Sequence, residues 1–268
     1  MSAFGLGLCS VTFRALPYER VLALAADAAV GGIEWGADTH VPVGDVPRAH
    51  AVAAASRARG ITIASYGSYV EAGADAPDAF ARVLDTAVAL GAPNVRVWAG
   101  RRRVPSAAVA AADRARSVEA LHAYAEAAAR ANVTVSLEFH RETLTDTLAS
   151  TLDLLAHADH PNLFTYWQPR PGIAGADAAD ELFALRERLS HLHVFHWNER
   201  RERFPLASSA HFWNPLLEAV AGWDDPRFPV RWAMVEFVRD DDPVAFADDA
   251  RVLRDWLGAA PHRTERTA

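Results

Sequence analysis

The chain has 268 residues, 51% of them hydrophobic, and a formal net charge of −7. This size and composition exclude a disordered chain and lead us to expect one large globular domain. The acidic balance, with basic runs only at Arg101-Arg102-Arg103 and near Arg200, argues against nucleic acid as a partner. Lysine is absent, which excludes Schiff-base chemistry and a lysine base. The single cysteine, Cys9, has no internal disulfide partner, so a reducing cytoplasm is the expected location. No secretory leader is recognisable at the N-terminus, and no uncharged apolar run reaches the roughly 20 residues of a membrane span.

Short apolar runs alternate eight times with Ala-rich amphipathic segments. The first run, Phe4–Ser10, precedes a helical pattern over Tyr18–Val30, with Pro17 at its start. Gly32–Gly36 leads through a long loop (37–45) into a helix over Val46–Gly60. Ile61–Tyr66 is followed by a helix over Ala76–Leu90, and Asn94–Trp98 by one over Ala107–Ala131. Val133–Glu138 leads to Thr145–His157, and Leu163–Gln168 to Ala178–Arg188. His191–Phe195 opens a second long loop before His211–Ala221, and Arg231–Glu236 precedes Asp242–Leu257 with Pro243 near the helix start. The strand segments are rich in Val, Ile and aromatics and the helical ones in Ala, Leu and Arg. Gly60, Gly91 and Gly222 stand where left-handed helix ends are expected.

Alternating strand and helix units imply a parallel sheet with right-handed crossovers. Eight units in about 250 residues favour a closed (β/α)8 TIM barrel, an α/β fold of one domain over residues 1–258, with a flexible tail at 259–268. No Gly-x-Gly-x-x-Gly follows the first strand and no Gly-Lys-Ser/Thr loop is present, so nucleotide cofactors find no support.

In such a barrel, polar residues at the C-terminal ends of strands gather at one mouth. Glu138, Gln168, His193 and Glu236 occupy four such ends. Two carboxylates, an amide oxygen and an imidazole suit a divalent ion such as Mn²⁺, Mg²⁺, Co²⁺ or Zn²⁺. A single strand-end Glu caps a helix or pairs with Arg as readily as it serves a reaction. Two of them, with a His on the seventh strand, favour a functional site. Gln168 is open to two readings, a metal ligand or a hydrogen-bond partner for sugar hydroxyls. His191 and His193 share one strand face, and His193 lies nearer the mouth. Glu34, Trp35, His40, Tyr66, Arg96, Trp98, His140, Arg170 and His196 are further pocket candidates, of which His40, Tyr66, Arg96, Trp98, His140, Arg170 and His196 are expected to contact substrate. Aromatic faces stack on sugar rings, while Arg and His donate to hydroxyls. Several of the eight tryptophans fall near strand ends, where packing is the alternative role.

The motifs Gly32-Ile-Glu-Trp-Gly, Asp38-Thr-His-Val-Pro, Leu137-Glu-Phe-His, Tyr166-Trp-Gln-Pro-Arg, His191-Leu-His-Val-Phe and Val235-Glu-Phe occur in that order along nearly the whole chain. In order and placement they resemble the sugar isomerase/epimerase family of xylose-isomerase-like TIM barrels. The resemblance implies a divalent metal on Glu138, Gln168, His193 and Glu236, with Glu138 and Glu236 exchanging protons with the substrate. It also shows departures. Gln168 stands where the family has Asp, Pro171 (beside Arg170) where it has His, and Glu199 near its Arg, leaving Arg200 or Arg201 to substitute.

The reading that results is a metal-dependent isomerase or epimerase acting through an enediolate on a small unphosphorylated sugar or polyol-derived ketone, with a homo-oligomer possible. A dehydratase or other lyase on the same fold is the first alternative. Phosphodiesterase chemistry with a multi-metal cluster is another. A sugar-binding protein that has lost its metal through Gln168 is the non-catalytic one.

Overall fold

The hydrogen-bonded order of the strands is their order in the sequence. In the computed structural model, which describes residues 4–258, β1 (Phe4–Cys9), β2 (Gly32–Gly36), β3 (Thr62–Ala72), β4 (Asn94–Ala99), β5 (Thr134–Leu137), β6 (Leu163–Trp167), β7 (Leu189–Val194) and β8 (Arg231–Val235) form a closed parallel barrel. Closure comes from β1 pairing with β8, Phe4 against Arg231 through Leu8 against Val235. Around it run α1 (Tyr18–Asp27), α2 (Val46–Ala58), α3 (Ala79–Leu90), α4 (Ala111–Arg130), α5 (Leu148–Ala158), α6 (Gly175–Leu185), α7 (Ala210–Val220) and α8 (Pro243–Leu257). This is the (β/α)8 TIM barrel expected from the alternation. The expected tail at 259–268 lies outside the described residues. Among those residues no helix is long and apolar enough to cross a membrane.

Local chemistry sets the helix ends. Asp45, Thr147 and Asp242 each accept a backbone N–H from the first turn of α2, α5 and α8, satisfying a donor that has no partner inside the helix. Gly91 (φ 76°) ends α3 in the left-handed conformation, as expected. Gly222 does not adopt it, because α7 already stops at Val220.

The largest departure is in β3. It continues to Ala72 rather than ending at Tyr66, paired with β4 as far as Ala72 against Ala99. A register shift inserts Ala64 opposite β2, so that Tyr66 pairs beside Trp35 while Ser65 and Gly67 pair with Glu34 and Gly36. A one-residue shift exchanges the two faces of a strand. Tyr66 therefore points outward, fully buried, and its hydroxyl donates to the Val41 carbonyl at 2.8 Å.

Alternation along each strand builds the barrel interior in layers. Near the N-terminal end Trp232 and Met234 fill the lumen against Ala64 and Tyr166. Gly5 and Gly32 make room for this, since a Cβ on either would stand within 2.8 Å of the Trp232 ring. Above lies a neutral polar layer. Asn94 donates to Ser65 Oγ (3.0 Å) and Tyr166 Oη (3.1 Å), while Ser136 Oγ bonds Asn94 Oδ1 (2.7 Å) and Ser190 Oγ (2.8 Å). The ionisable side chains come next, at the C-terminal mouth.

On the outer shell, Asp249 of α8 is buried and accepts the Leu206 N–H at 2.8 Å. Burial raises its carboxyl to about 6 from an ordinary 3.8. Below the ordinary value Asp249 is protonated in both folded and unfolded chains. As pH rises toward 6 the unfolded chain ionises first, and stability falls. Asp249→Asn keeps an acceptor oxygen and removes this titration. Urea denaturation should show the variant's stability relative to wild type rising by on the order of 1–3 kcal/mol from pH about 4 to pH about 7, then levelling.

Candidate active site at the barrel mouth

Seven of the eight strands deliver the site. Cys9 ends β1, Glu34 lies in β2, Arg96 in β4 and His193 in β7. Glu138, Gln168 and Glu236 each stand one residue past β5, β6 and β8. All seven are buried, with Gln168 the most accessible at 8%. The Arg96 guanidinium bridges two carboxylates: Nε donates to Glu34 Oε1 at 2.9 Å and Nη1 to Glu138 Oε2. Tyr166 Oη donates to the other oxygen of Glu34 at 2.7 Å. His193 Nδ1 lies 3.1 Å from Gln168 Oε1 and 3.3 Å from Glu236 Oε2. Its Nε2, 3.7 Å from Glu34 Oε1, has no hydrogen-bond partner.

The electrostatics follow from these neighbours. Burial opposes ionisation of Glu34, but Arg96, then His193, hold it well below the usual carboxylate range. Burial likewise opposes the charge on His193, and Glu236 overcomes it, raising the imidazole well above its ordinary value. Glu236 is correspondingly lowered by His193 against the effect of burial. Cys9 lies 3.4 Å from Glu34 Oε1 and 3.8 Å from Glu236 Oε1. Burial, reinforced by these carboxylates, keeps its thiol protonated. His191, one layer down, is lowered to about 3 by burial and accepts the Trp232 N–H at 3.1 Å. It serves the barrel as a neutral histidine, leaving His193 for the site.

The ligand set expected from the sequence is thus brought together. Donor atoms of Glu138, His193 and Glu236 lie within 4.8 Å of one another, and the Gln168 amide oxygen completes the group from the side of His193 Nδ1. Hard oxygens with one imidazole nitrogen fit a divalent ion. A second trio, Cys9, Glu34 and His193, is equally close. Its carboxylate is already committed to Arg96 and Tyr166, and its sulfur carries a proton.

The expected substrate contacts divide. His140 and Arg201 line the space outward from Gln168, together with Arg141, Arg170 and Trp197. Trp98 lies just beyond, its ring 4.7 Å from His140. Arg170 lines this space too, although Glu181 holds its guanidinium at 2.5 Å. Of the two arginines expected to replace the family's own, Arg201 lines the space with Gln168, and Arg200 does not. Three expected contacts, Tyr66, His40 and His196, are placed elsewhere, and the pocket candidate Trp35 takes the packing role that is its alternative. Tyr66 faces outward, as the bulge in β3 requires. Trp35 is wholly buried core. His40 has both ring nitrogens engaged, by Ser10 Oγ (3.0 Å) and the Leu16 carbonyl (3.1 Å). His196 is turned to Ser208 Oγ (2.9 Å) on the neighbouring loop. Arg96 reaches the site but spends its donors on the two glutamates. Tyr166 and Cys9 were not anticipated as site neighbours. Their signal was parity, since Tyr166 lies two residues before Gln168 and Cys9 ends the Gly5-Gly7-Cys9 alternation.

The chain matches the xylose isomerase-like TIM barrel family over residues 22–256. It belongs to that family. Its similarity to a 3-dehydroshikimate dehydratase from Bacillus anthracis is 31% identity over 166 residues, covering 57% of this chain and 54% of that one, so the match spans about half the curated relative's length. Among solved structures, the probable 3-DHS dehydratase AsbF from Bacillus anthracis superposes with a TM-score of 0.78 at 21% identity, over 93% of this chain and 98% of that one. A D-psicose 3-epimerase gives 0.75 at 15% identity over 96% and 100%. The IOLI protein, solved with a bound zinc atom, gives 0.69 at 13% identity over 95% and 98%. At these identities the structures show that the xylose isomerase-like barrel is shared.

Arg96 carries the burden of keeping two carboxylates buried. Arg96→Met takes the ion pair from Glu138 and leaves Glu34 with Tyr166, His193 and Cys9 as partners, and should lower unfolding stability by about 3–5 kcal/mol. The double variant Arg96→Met/Glu34→Gln, which removes one of the two charges, should regain part of that loss in the same denaturation experiment.

Proposed function

We propose that this protein is a metal-dependent isomerase or epimerase that moves a proton on the carbon beside a carbonyl in a small polyhydroxylated substrate. The observation that carries this is the convergence of Glu138 and Glu236, from β5 and β8, on one buried imidazole at the barrel mouth. A divalent ion held by Glu138, Gln168, His193 and Glu236 would supply polarisation of the substrate carbonyl and so acidify the neighbouring C–H. The chain's own residues supply the rest. Arg96 and His193 fix the two carboxylates from different sides, so neither is free to follow the other. In the ion-free site the charged His193 holds the Glu236 carboxyl low, so that Glu236 is ionised, the form a base requires. One carboxylate removes the proton from carbon. The other returns it, to the opposite face for epimerisation or to the adjacent carbon for isomerisation. The buried setting limits competing proton exchange with water.

The dehydratase reading has its own support in the similarity to 3-dehydroshikimate dehydratase. It needs the same first step. With a hydroxyl on the β-carbon, the proton goes to a carboxylate, the C–O bond breaks, and the hydroxyl leaves as water after protonation.

The two are separated by mass in heavy water. Incubation with ketoses should introduce deuterium at carbon with no other mass change if the protein is an isomerase or epimerase. Incubation with 3-dehydroshikimate should show loss of water if it is a dehydratase. Glu138→Gln and Glu236→Gln should each slow whichever reaction is found by about 10²–10⁴-fold, the range of a lost general acid or base. Absence of both reactions, with tight sugar binding indifferent to chelator, would instead identify a binding protein.

Elemental analysis of protein purified without added metal should find about one divalent ion per chain, the occupancy of a single four-donor site. Glu236→Gln should lose it.

A further inference from the structure

The sequence carries a basic run, Arg101-Arg102-Arg103, and a second basic segment near Arg200 that the proton-transfer chemistry leaves unused. The fold brings them together. The β4–α4 loop, the segment after β5 and the β7–α7 loop, with the end of β3, form an open recess of about 860 Å³ lined by Arg102, Arg103, Arg141 and Arg201 with Trp98 and His140. Its acidic lining residues are Glu71 and Glu142. Glu71 is taken by Arg102 at 2.6 Å, and Glu142 lies 3.7 Å from Arg141. Arg103 and Arg201 have no ion-pair or hydrogen-bond partner for their side chains among the described residues. Trp98 is 7% exposed and its indole Nε1–H has no acceptor. A chain of net charge −7 thus gathers unspent cations and an unspent donor in one place.

That place adjoins the space that reaches Gln168, one of the proposed metal ligands. His140, Arg141 and Arg201 line this recess and also that smaller space. Trp197, whose indole N–H is likewise without an acceptor, lines the inner space. A substrate whose carbonyl carbon sits by Glu138 and Glu236 therefore extends outward past Gln168 into a chamber of donors.

We propose that this chamber binds an anionic group of the substrate, a carboxylate or a phosphate, with Arg103 and Arg201 as its principal contacts. This rests on the proton-transfer reading of the same mouth and narrows it from neutral sugars to polyhydroxylated carbonyl compounds bearing an anion. Guanidinium groups match both oxyanions in geometry and remain charged at any working pH. The absence of a Gly-rich phosphate loop places the recognition on side chains instead.

The test is direct binding, read without turnover. Isothermal titration calorimetry on the purified full chain would use inorganic phosphate and, separately, benzoate. At least one should bind, with affinity falling as salt rises. Arg103→Gln/Arg201→Gln should weaken that binding by about tenfold or more, equivalent to about 1.4 kcal/mol. Arg103→Lys/Arg201→Lys, which keeps the charge, should retain most of it. Both residues are exposed and unpaired, so the variants are expected to fold as wild type does, a point thermal denaturation checks. Tighter phosphate binding would identify a phosphorylated substrate, and tighter benzoate binding a carboxylated one. Binding of neither anion, or equal affinity in the glutamine double variant, would overturn the proposal. Because no chemistry is read, the result stands apart from the heavy-water experiment: anion binding without proton exchange would fault the reaction, and exchange without anion binding would fault the chamber.

Discussion

The Arg96 guanidinium between Glu34 and Glu138 is the interaction on which the mouth of this barrel depends. Burying carboxylates away from water costs several kcal/mol each unless charge and hydrogen bonds are returned to them. Arg96 returns both at once, from β4 to β2 and β5. The arrangement is tight enough to dictate a neighbour: a Cβ at Gly67 would stand 2.7 Å from Glu34 Oε1 and 2.8 Å from Arg96 Nη2. The bulge in β3 is what turns Gly67, rather than a side chain, toward the pair. A local irregularity in one strand and an ion pair spanning three others are therefore one piece of design.

Polarity rises along the barrel axis in steps. Trp232 and Met234 close the lower lumen, Asn94, Ser136 and Ser190 form a neutral hydrogen-bonded layer, and the charged residues lie above. The middle layer lets Tyr166 serve both sides, accepting from Asn94 and donating to Glu34. Charged groups accordingly rest on fixed dipoles rather than directly on hydrocarbon, which lowers the cost of holding them. Rigid strands below and variable loops above are the usual division of labour in this architecture.

Gln168 changes the charge balance relative to the aspartate the family resemblance leads one to expect. Glu34 is consumed by Arg96 and Tyr166, so Glu138, Glu236 and the neutral donors Gln168 and His193 remain to face a cation. In the absence of one, the proton on His193 offsets Glu236. A divalent ion and that proton compete for the same imidazole nitrogen, a coupling general to histidine ligands. The neighbouring arginine chamber gives the mouth an outer region of opposite sign to its floor, a pattern suited to a substrate with an anion at one end and hydroxyls at the other.

The sequence by itself determined the barrel and the placing of Glu138, Gln168, His193 and Glu236 at strand ends that face one mouth, because both are written in local periodicity. Eight alternations of strand and helix admit few topologies, and a polar residue ending an apolar strand has one mouth to face. The preference for His193 over His191 was legible for the same reason. Side-chain commitments were decided only by the tertiary structure. Arg96 reads as a substrate contact until Glu34 and Glu138 are seen beside it, and His40 until Ser10 and Leu16 occupy both its nitrogens. Tyr66 reads as a mouth residue until the bulge in β3 turns it outward. Arg102 and Arg201 are about a hundred residues apart in the chain, so no local pattern joins them. Periodicity fixes which face a residue occupies. Whether its hydrogen bonds and charge are already spent depends on partners that closure of the barrel supplies from distant strands.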